Sequence, residues 1–145
     1  MPEYYIMDAR KGMAETMAER MPSKAYSADC EWLTEADLRV YSTEFTRTGF
    51  QGGLNYYRVA NDARFTTELK AFSGRTIDVP ACYISGSHDW ATYQFPGAFE
   101  GMRAACSRLL GVHLIPRAGH SLGEERPRQV NEVLLDFLQQ VAPGI

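Results

Sequence analysis

The spacing of apolar residues changes character along the chain and sorts it into two parts. Up to residue 72 the pattern is helical. "ARKGMAETMAERM" (9–21) predicts a short Ala/Met/Glu-rich helix that stops near Pro22, and "MPSKAYSADCEW" reads as loop. "LTEADLRVYSTEF" opens on a capping box, because Thr34 can accept from the Asp37 backbone while the Asp37 carboxylate returns to residue 34. Leu33 and Leu38 flank that box as a hydrophobic staple. "GFQGG" (49–53) interrupts the chain, and "LNYYRVANDARFTTELKAF" (54–72) resumes as helix.

From residue 76 the rhythm is different. "IDVPACYIS" is a continuous apolar run of strand length, as in a parallel strand covered on both faces. "GAFEGMRAACSRLL" (97–110) follows as helix, and "GVHLIPR" from residue 111 as a second short strand. Pro127, a favourable first helical residue, starts the last element. There Val130, Val133, Leu134, Phe137, Leu138 and Val141 keep the spacing of a buried helical face. Strand, helix, strand and helix make one right-handed crossover unit with only two strands. Such a sheet has both edges unpaired, so the pattern asks for more sheet than the 145 residues contain.

Composition narrows the classes. A hydrophobic fraction of 45% and a charged fraction of 23% are those of a soluble globular domain. The net charge of −3 and the absence of Lys/Arg runs offer nothing to nucleic acid or to an anionic membrane. No apolar stretch approaches the roughly 18–20 residues of a membrane span. The start, "MPEYYIMDARKG", lacks the basic and apolar regions of a secretory signal. Cys30, Cys82 and Cys106 are odd in number and lack metal-type spacing, so free thiols and a cytoplasmic location are expected.

Candidate chemistry gathers at the two strand ends. "SHDWA" (87–91) directly follows the first strand and displays Asp89. A nucleophile elbow would need a helix immediately behind it, but "WATYQFPG" intervenes and helix begins only near residue 97. An acid that orients a histidine needs that histidine near the next strand's end. "RAGHSLGEERP" supplies His120 there, 31 residues after Asp89. Loops after neighbouring parallel strands leave at the same sheet edge, where sites are built. The competing reading is a helix-capping aspartate and a surface histidine. His88 and His113 read as a loop neighbour and a strand residue.

"GFQGGLNYYR" (49–58), "VPACYISGSHDW" (79–90) and "GVHLIPRAGHSLGEERPRQVNEVLLDFL" (111–138) closely resemble the cap and C-terminal half of epoxide hydrolases of the α/β-hydrolase fold. The resemblance implies an α/β chain, a partial α/β-hydrolase fold. A helical cap over residues 1–74 would precede the last two parallel strands and their helices over 75–145. It implies that His120 is the general base, Asp89 the acid that orients it, and Tyr57 a cap tyrosine that hydrogen-bonds the epoxide oxygen. It places a second cap tyrosine at Tyr4, with Tyr5 one residue away as the alternative. In that family an aspartate carboxylate opens the epoxide to an ester, which water then hydrolyses. The implied partners are a small apolar epoxide and water, with no cofactor, no metal and no nucleic acid.

Two departures accompany the resemblance. The family has an aromatic residue after the base histidine, where this chain has Ser121. The family's nucleophilic aspartate lies upstream of the cap, so an N-terminal half of the fold is expected to supply it. A haloalkane or haloacetate dehalogenase on the same scaffold is the runner-up, disfavoured by the two cap tyrosines. A stand-alone inactive module is the third reading.

Overall fold

The computed structural model describes residues 8–142, so Tyr4 and Tyr5 lie outside the described residues. The chain divides into two compact units: Leu33–Thr76, and the segments on either side of it, up to Trp32 and from Ile77 onward. The segment before Trp32 thus groups with the strand-bearing part of the chain rather than with the helices that follow it.

In the strand-bearing unit, α1 (Met13–Arg20) and the five-residue α2 (Lys24–Ala28) come first. The second lies in the stretch expected to be loop. Ser23 makes the difference, since its hydroxyl accepts the Tyr26 N–H at 3.1 Å and caps the turn. Beyond Ile77 come β1 (Ala81–Gly86), α6 (Ala98–Ala105), β2 (Leu109–Ile115), α7 (Leu122–Glu125) and α8 (Pro127–Val141). The two strands are parallel neighbours. Pro80 has no N–H to give the ladder, so regular pairing starts only at Ala81. Before it, Ile77 makes an isolated parallel bridge to Cys106.

The expected helix 97–110 ends early. Ala81 N–H donates to the Arg108 carbonyl at 3.0 Å, which pulls the chain into β2 from Leu109. Leu109 and Leu110 therefore belong to the strand, with a register irregularity between Ala81 and Cys82.

The core of this unit is thin. Among the described residues the buried hydrophobics are Cys106, Ile115 and Ala118, and no large side chain is fully buried. β1 is only half-buried from Ala81 to Ile84, and burial pushes the Cys82 thiol above its ordinary value. α8 packs on β2, where Val130, Val133 and Phe137 are half-buried. Leu134 and Leu138, expected on the buried face, are 41% and 53% exposed. The apolar stripe of α8 is wider than a two-stranded sheet can cover.

The second unit holds α3 (Glu35–Thr48), α4 (Gln51–Ala60) and α5 (Ala63–Leu69), with a 3-10 turn at Lys70–Phe72. The expected capping box opens α3: Thr34 Oγ1 accepts the Asp37 N–H at 3.3 Å, and the Asp37 carboxylate accepts the Thr34 N–H at 2.9 Å. Gly49, at φ 68°, ends the helix where a side chain would be strained. The expected helix 54–72 is broken at residues 61 and 62. Asn61 turns its amide onto the Tyr57 carbonyl at 2.8 Å, and Asp62 caps the next helix by accepting the Arg64 N–H at 3.0 Å.

Candidate active site

Each side chain of the site is set by the backbone at a strand end. After Gly86 the chain turns at once, with the Asp89 N–H donating to the Gly86 carbonyl at 3.0 Å. After Ile115 it turns through Arg117, a non-glycine residue at φ 56°. The two turns are tied together across the sheet edge. His88 N–H donates to the Ala118 carbonyl at 2.9 Å, Ser87 N–H to the Ile115 carbonyl at 2.9 Å, and Arg117 N–H to Ser87 Oγ at 3.0 Å. The fit leaves no space at Gly86, where a Cβ would stand 2.2 Å from the Ala118 carbonyl oxygen. A further tether holds the second turn, because Gly119 N–H donates to the Glu125 carboxylate at 2.8 Å.

These ties bring Asp89 and His120 together. His120 Nδ1 lies 3.2 Å from both Asp89 Oδ1 and Asp89 Oδ2. The ionised carboxylate can only accept, so Nδ1 carries the proton and Nε2 is the nitrogen left to take one. The Asp89 side chain is 8% exposed and that of His120 67%. The Trp90 indole lies nearly parallel to the imidazole, 19° off with centroids 6.1 Å apart.

Asp89 also caps. Its Oδ1 accepts the Ala91 N–H at 2.9 Å and starts a 3-10 turn, Trp90–Tyr93. One carboxylate therefore both caps the 3-10 turn and lies against the His120 imidazole. Behind it stands a group of hydroxyls that the sequence reading did not single out. Ser85 Oγ is 3.3 Å from Asp89 Oδ2 and 2.7 Å from Thr92 Oγ1, and Tyr83 OH donates to Thr92 Oγ1 at 3.2 Å. Strand alternation was the available signal, since Tyr83 and Ser85 must share a face of β1.

Tyr57 belongs to the Leu33–Thr76 unit, on α4, where it is 65% exposed and meets Tyr56 edge-on at 5.5 Å. His88 and His113 are exposed. Among the described residues no cluster of three His, Cys, Asp or Glu side chains could hold a metal ion. No described helix is long and apolar enough to cross a membrane.

Comparison with known proteins places this geometry. No family model matches the chain. Solved epoxide hydrolase structures superpose on most of it. One, from Mycobacterium thermoresistibile, covers 95% of this chain and 41% of its own with a TM-score of 0.76 and 32% identity. A mutant of the potato enzyme covers 84% of this chain and 39% of its own, with a TM-score of 0.72 and 29% identity. The fold is that of a partial α/β-hydrolase.

Sequence relatives narrow the class. "Epoxide hydrolase 3" of Siraitia grosvenorii is 39% identical over 115 residues, 75% of this chain and 35% of the relative. "Epoxide hydrolase B" of Mycobacterium tuberculosis is 36% identical over 113 residues, 77% of this chain and 31% of the relative. Over most of its length the chain is similar to epoxide hydrolases of the α/β-hydrolase fold. It spans about a third of the length of the curated relatives it matches.

Proposed function

We propose that this chain carries the water-activating half of an epoxide hydrolase that converts a small apolar epoxide to a vicinal diol. The observation that carries the reading is the Asp89–His120 pair at the ends of adjacent parallel strands, in a chain similar to epoxide hydrolases. In this reading residues 1–74 serve as cap and 75–145 as part of the catalytic core, a functional division separate from the spatial grouping above. The free thiols of Cys30, Cys82 and Cys106 favour a cytoplasmic location.

The chemistry runs in two stages. A carboxylate nucleophile attacks an epoxide carbon, the carbon–oxygen bond breaks, and the new alkoxide takes a proton from a phenol, for which Tyr57 and Tyr4 are the candidates. His120 Nε2 then removes a proton from water, and the hydroxide attacks the ester carbonyl. Diol leaves, the carboxylate is restored, and the proton taken up by His120 returns to the phenolate by way of water. Asp89 holds the Nδ1–H and stabilises the imidazolium while it lasts.

Asp89 is not itself the nucleophile, because its two oxygens are committed to His120, Ala91 and Ser85. We infer that the nucleophile comes from the portion of the fold that the longer relatives have and this chain does not span. The half-buried β1 and the exposed Leu134 and Leu138 support that inference, because additional sheet would cover them.

The test is to join the chain to the complementary portion of an epoxide hydrolase relative and assay styrene oxide. Diol formation that is lost in His120→Gln, with a covalent ester accumulating, is the expected result. Halide release from a haloalkane without diol formation would replace the reading with a dehalogenase.

A further inference from the structure

Beneath the Asp89 carboxylate, β1 and the turn after it bury a line of three hydroxyls. Ser85 is 4% exposed and Thr92 7%, and Tyr83 is half-buried at the far end. Their oxygens run from Tyr83 to Thr92 at 3.2 Å, from Thr92 to Ser85 at 2.7 Å, and from Ser85 to Asp89 Oδ2 at 3.3 Å. Each hydroxyl has one proton to give. Tyr83 donates to Thr92, and an ionised carboxylate at the other end can only accept. The arrangement in which every proton has a partner and the carboxylate receives one is unidirectional: Tyr83 to Thr92, Thr92 to Ser85, Ser85 to Asp89.

We propose that Ser85, Thr92 and Tyr83 form a directed hydroxyl relay that positions Asp89 and sets how strongly its carboxylate draws a proton onto His120. These are positioning residues, since none of them touches the imidazole through a hydrogen bond in the structure. The proposal rests on reading Asp89 and His120 as acid and base, and it deepens that reading by assigning the control of the base to side chains on β1 and the 3-10 turn.

The physical argument concerns where the negative charge sits. Asp89 is nearly buried, and a buried carboxylate is stabilised by the donors it can find. Ala91 N–H supplies Oδ1 and Ser85 supplies Oδ2. Oδ2 lies as near to Nδ1 as Oδ1 does, so a donor on it takes up part of the negative charge that the imidazole proton would otherwise meet. Bonds in such a chain polarise one another, so Thr92 strengthens the Ser85 donation and Tyr83 strengthens that of Thr92. Tyr83 is anchored in turn by an edge contact with Phe99 of α6, 5.9 Å between centroids. In the turn that carries His120 and the helix after it, the Glu125 carboxylate takes the Gly119 N–H, and the Arg126 guanidinium donates to the carbonyls of Glu125 and Arg117.

The direction of the relay makes the test sharp. In the full chain, labelled with ¹³C and ¹⁵N in its three histidines, the His120 titration is read by NMR and assigned with His88→Gln and His113→Gln. Ser85→Ala is expected to raise the His120 midpoint by about half to one pH unit, roughly a three- to tenfold change in proton affinity. Thr92→Val should raise it by less, Tyr83→Phe by least, and Thr92→Ser, which keeps the hydroxyl, should leave it where it was.

If the Ser85 proton pointed at Thr92 instead, Thr92→Val would free it to turn onto Asp89 and the midpoint would fall. That result overturns the proposal, as does an unchanged midpoint in Ser85→Ala. The measurement needs no turnover, so the relay and the epoxide hydrolase reading can fail independently.

Discussion

His120 Nδ1 stands at the same distance, 3.2 Å, from both oxygens of Asp89, while the Asp89 side chain is 8% exposed and that of His120 67%. The asymmetry suits the proposed roles, a fixed carboxylate beneath an imidazole that solvent can reach. Asp89 is held by a backbone N–H at one oxygen and a hydroxyl at the other, so the imidazole is steered by a carboxylate that has little freedom to follow it. Solvent, by contrast, reaches the ring.

Asp89→Asn should separate the two roles of this side chain. The amide oxygen can still accept the Ala91 N–H, so the 3-10 turn should persist. The amide NH₂ cannot accept from Nδ1–H, and the imidazole is left in the wrong tautomer. In the chain joined to the complementary portion of a relative, as proposed above, ester hydrolysis should slow by about 10³- to 10⁴-fold with ester formation far less affected. Quench-flow with mass detection of the adduct checks this, and equal slowing of both stages would count against the assigned roles.

Gly86→Ala tests whether the site depends on the close approach of the two turns. An added Cβ would meet backbone, 2.2 Å from the Ala118 oxygen and 2.3 Å from the Gly119 oxygen, and neither can swing aside as a flexible side chain could. Overpacking of this kind costs about 1–3 kcal/mol. The expected result is a lower melting temperature together with loss of the His88 N–H protection that reports the bond to Ala118. A variant with wild-type melting and exchange would show that the turns are looser than the structure has them.

How much of this was legible in the sequence follows from how local each determinant is. The Thr34–Asp37 box was readable because its partners lie three residues apart, and the placement of Asp89 and His120 at neighbouring strand ends was readable because each follows a strand, though position alone left their roles open. What escaped was set by competition between neighbours. Leu109 and Leu110 fit a helix by pattern, yet the Arg108 carbonyl is claimed by Ala81 across the sheet. The segment 54–72 keeps helical spacing, yet Asn61 and Asp62 spend their side chains on backbone and break it. The hydroxyls behind Asp89 escaped for another reason: Ser, Thr and Tyr in a strand and a turn look ordinary until the fold stacks them.

Glu125 is a second hold on the turn that carries His120. Its carboxylate accepts the Gly119 N–H at 2.8 Å, one residue before His120. Glu125→Gln retains an acceptor and should preserve both fold and His120 position. Glu125→Ala leaves that N–H without its partner, at a cost of about 1–3 kcal/mol where water does not replace it. The amide exchange of Gly119 should rise in Glu125→Ala and hold in Glu125→Gln. Identical exchange in the two variants would remove Glu125 from the account.

The opening of α3 should answer to acid. The Thr34 hydroxyl donates to the Asp37 carboxylate at 2.6 Å and the Thr34 N–H does so at 2.9 Å, which together hold the Asp37 carboxyl below its ordinary value of 3.8. A carboxyl whose folded value is lowered stabilises the folded form fully above the unfolded value, and that contribution is lost as pH falls through the folded one. The first turn of α3 should therefore be protected at pH 5–7 and loosen below about pH 4, the range in which unperturbed aspartate titrates. Protection factors of the Thr34 and Asp37 amides should fall across that window, and Asp37→Asn should flatten the dependence at a lower level. Thr34→Ala removes the cap itself, so protection should be low at every pH. Wild-type protection that stays constant from neutral pH into acid would mean that the carboxylate does not close the box in solution.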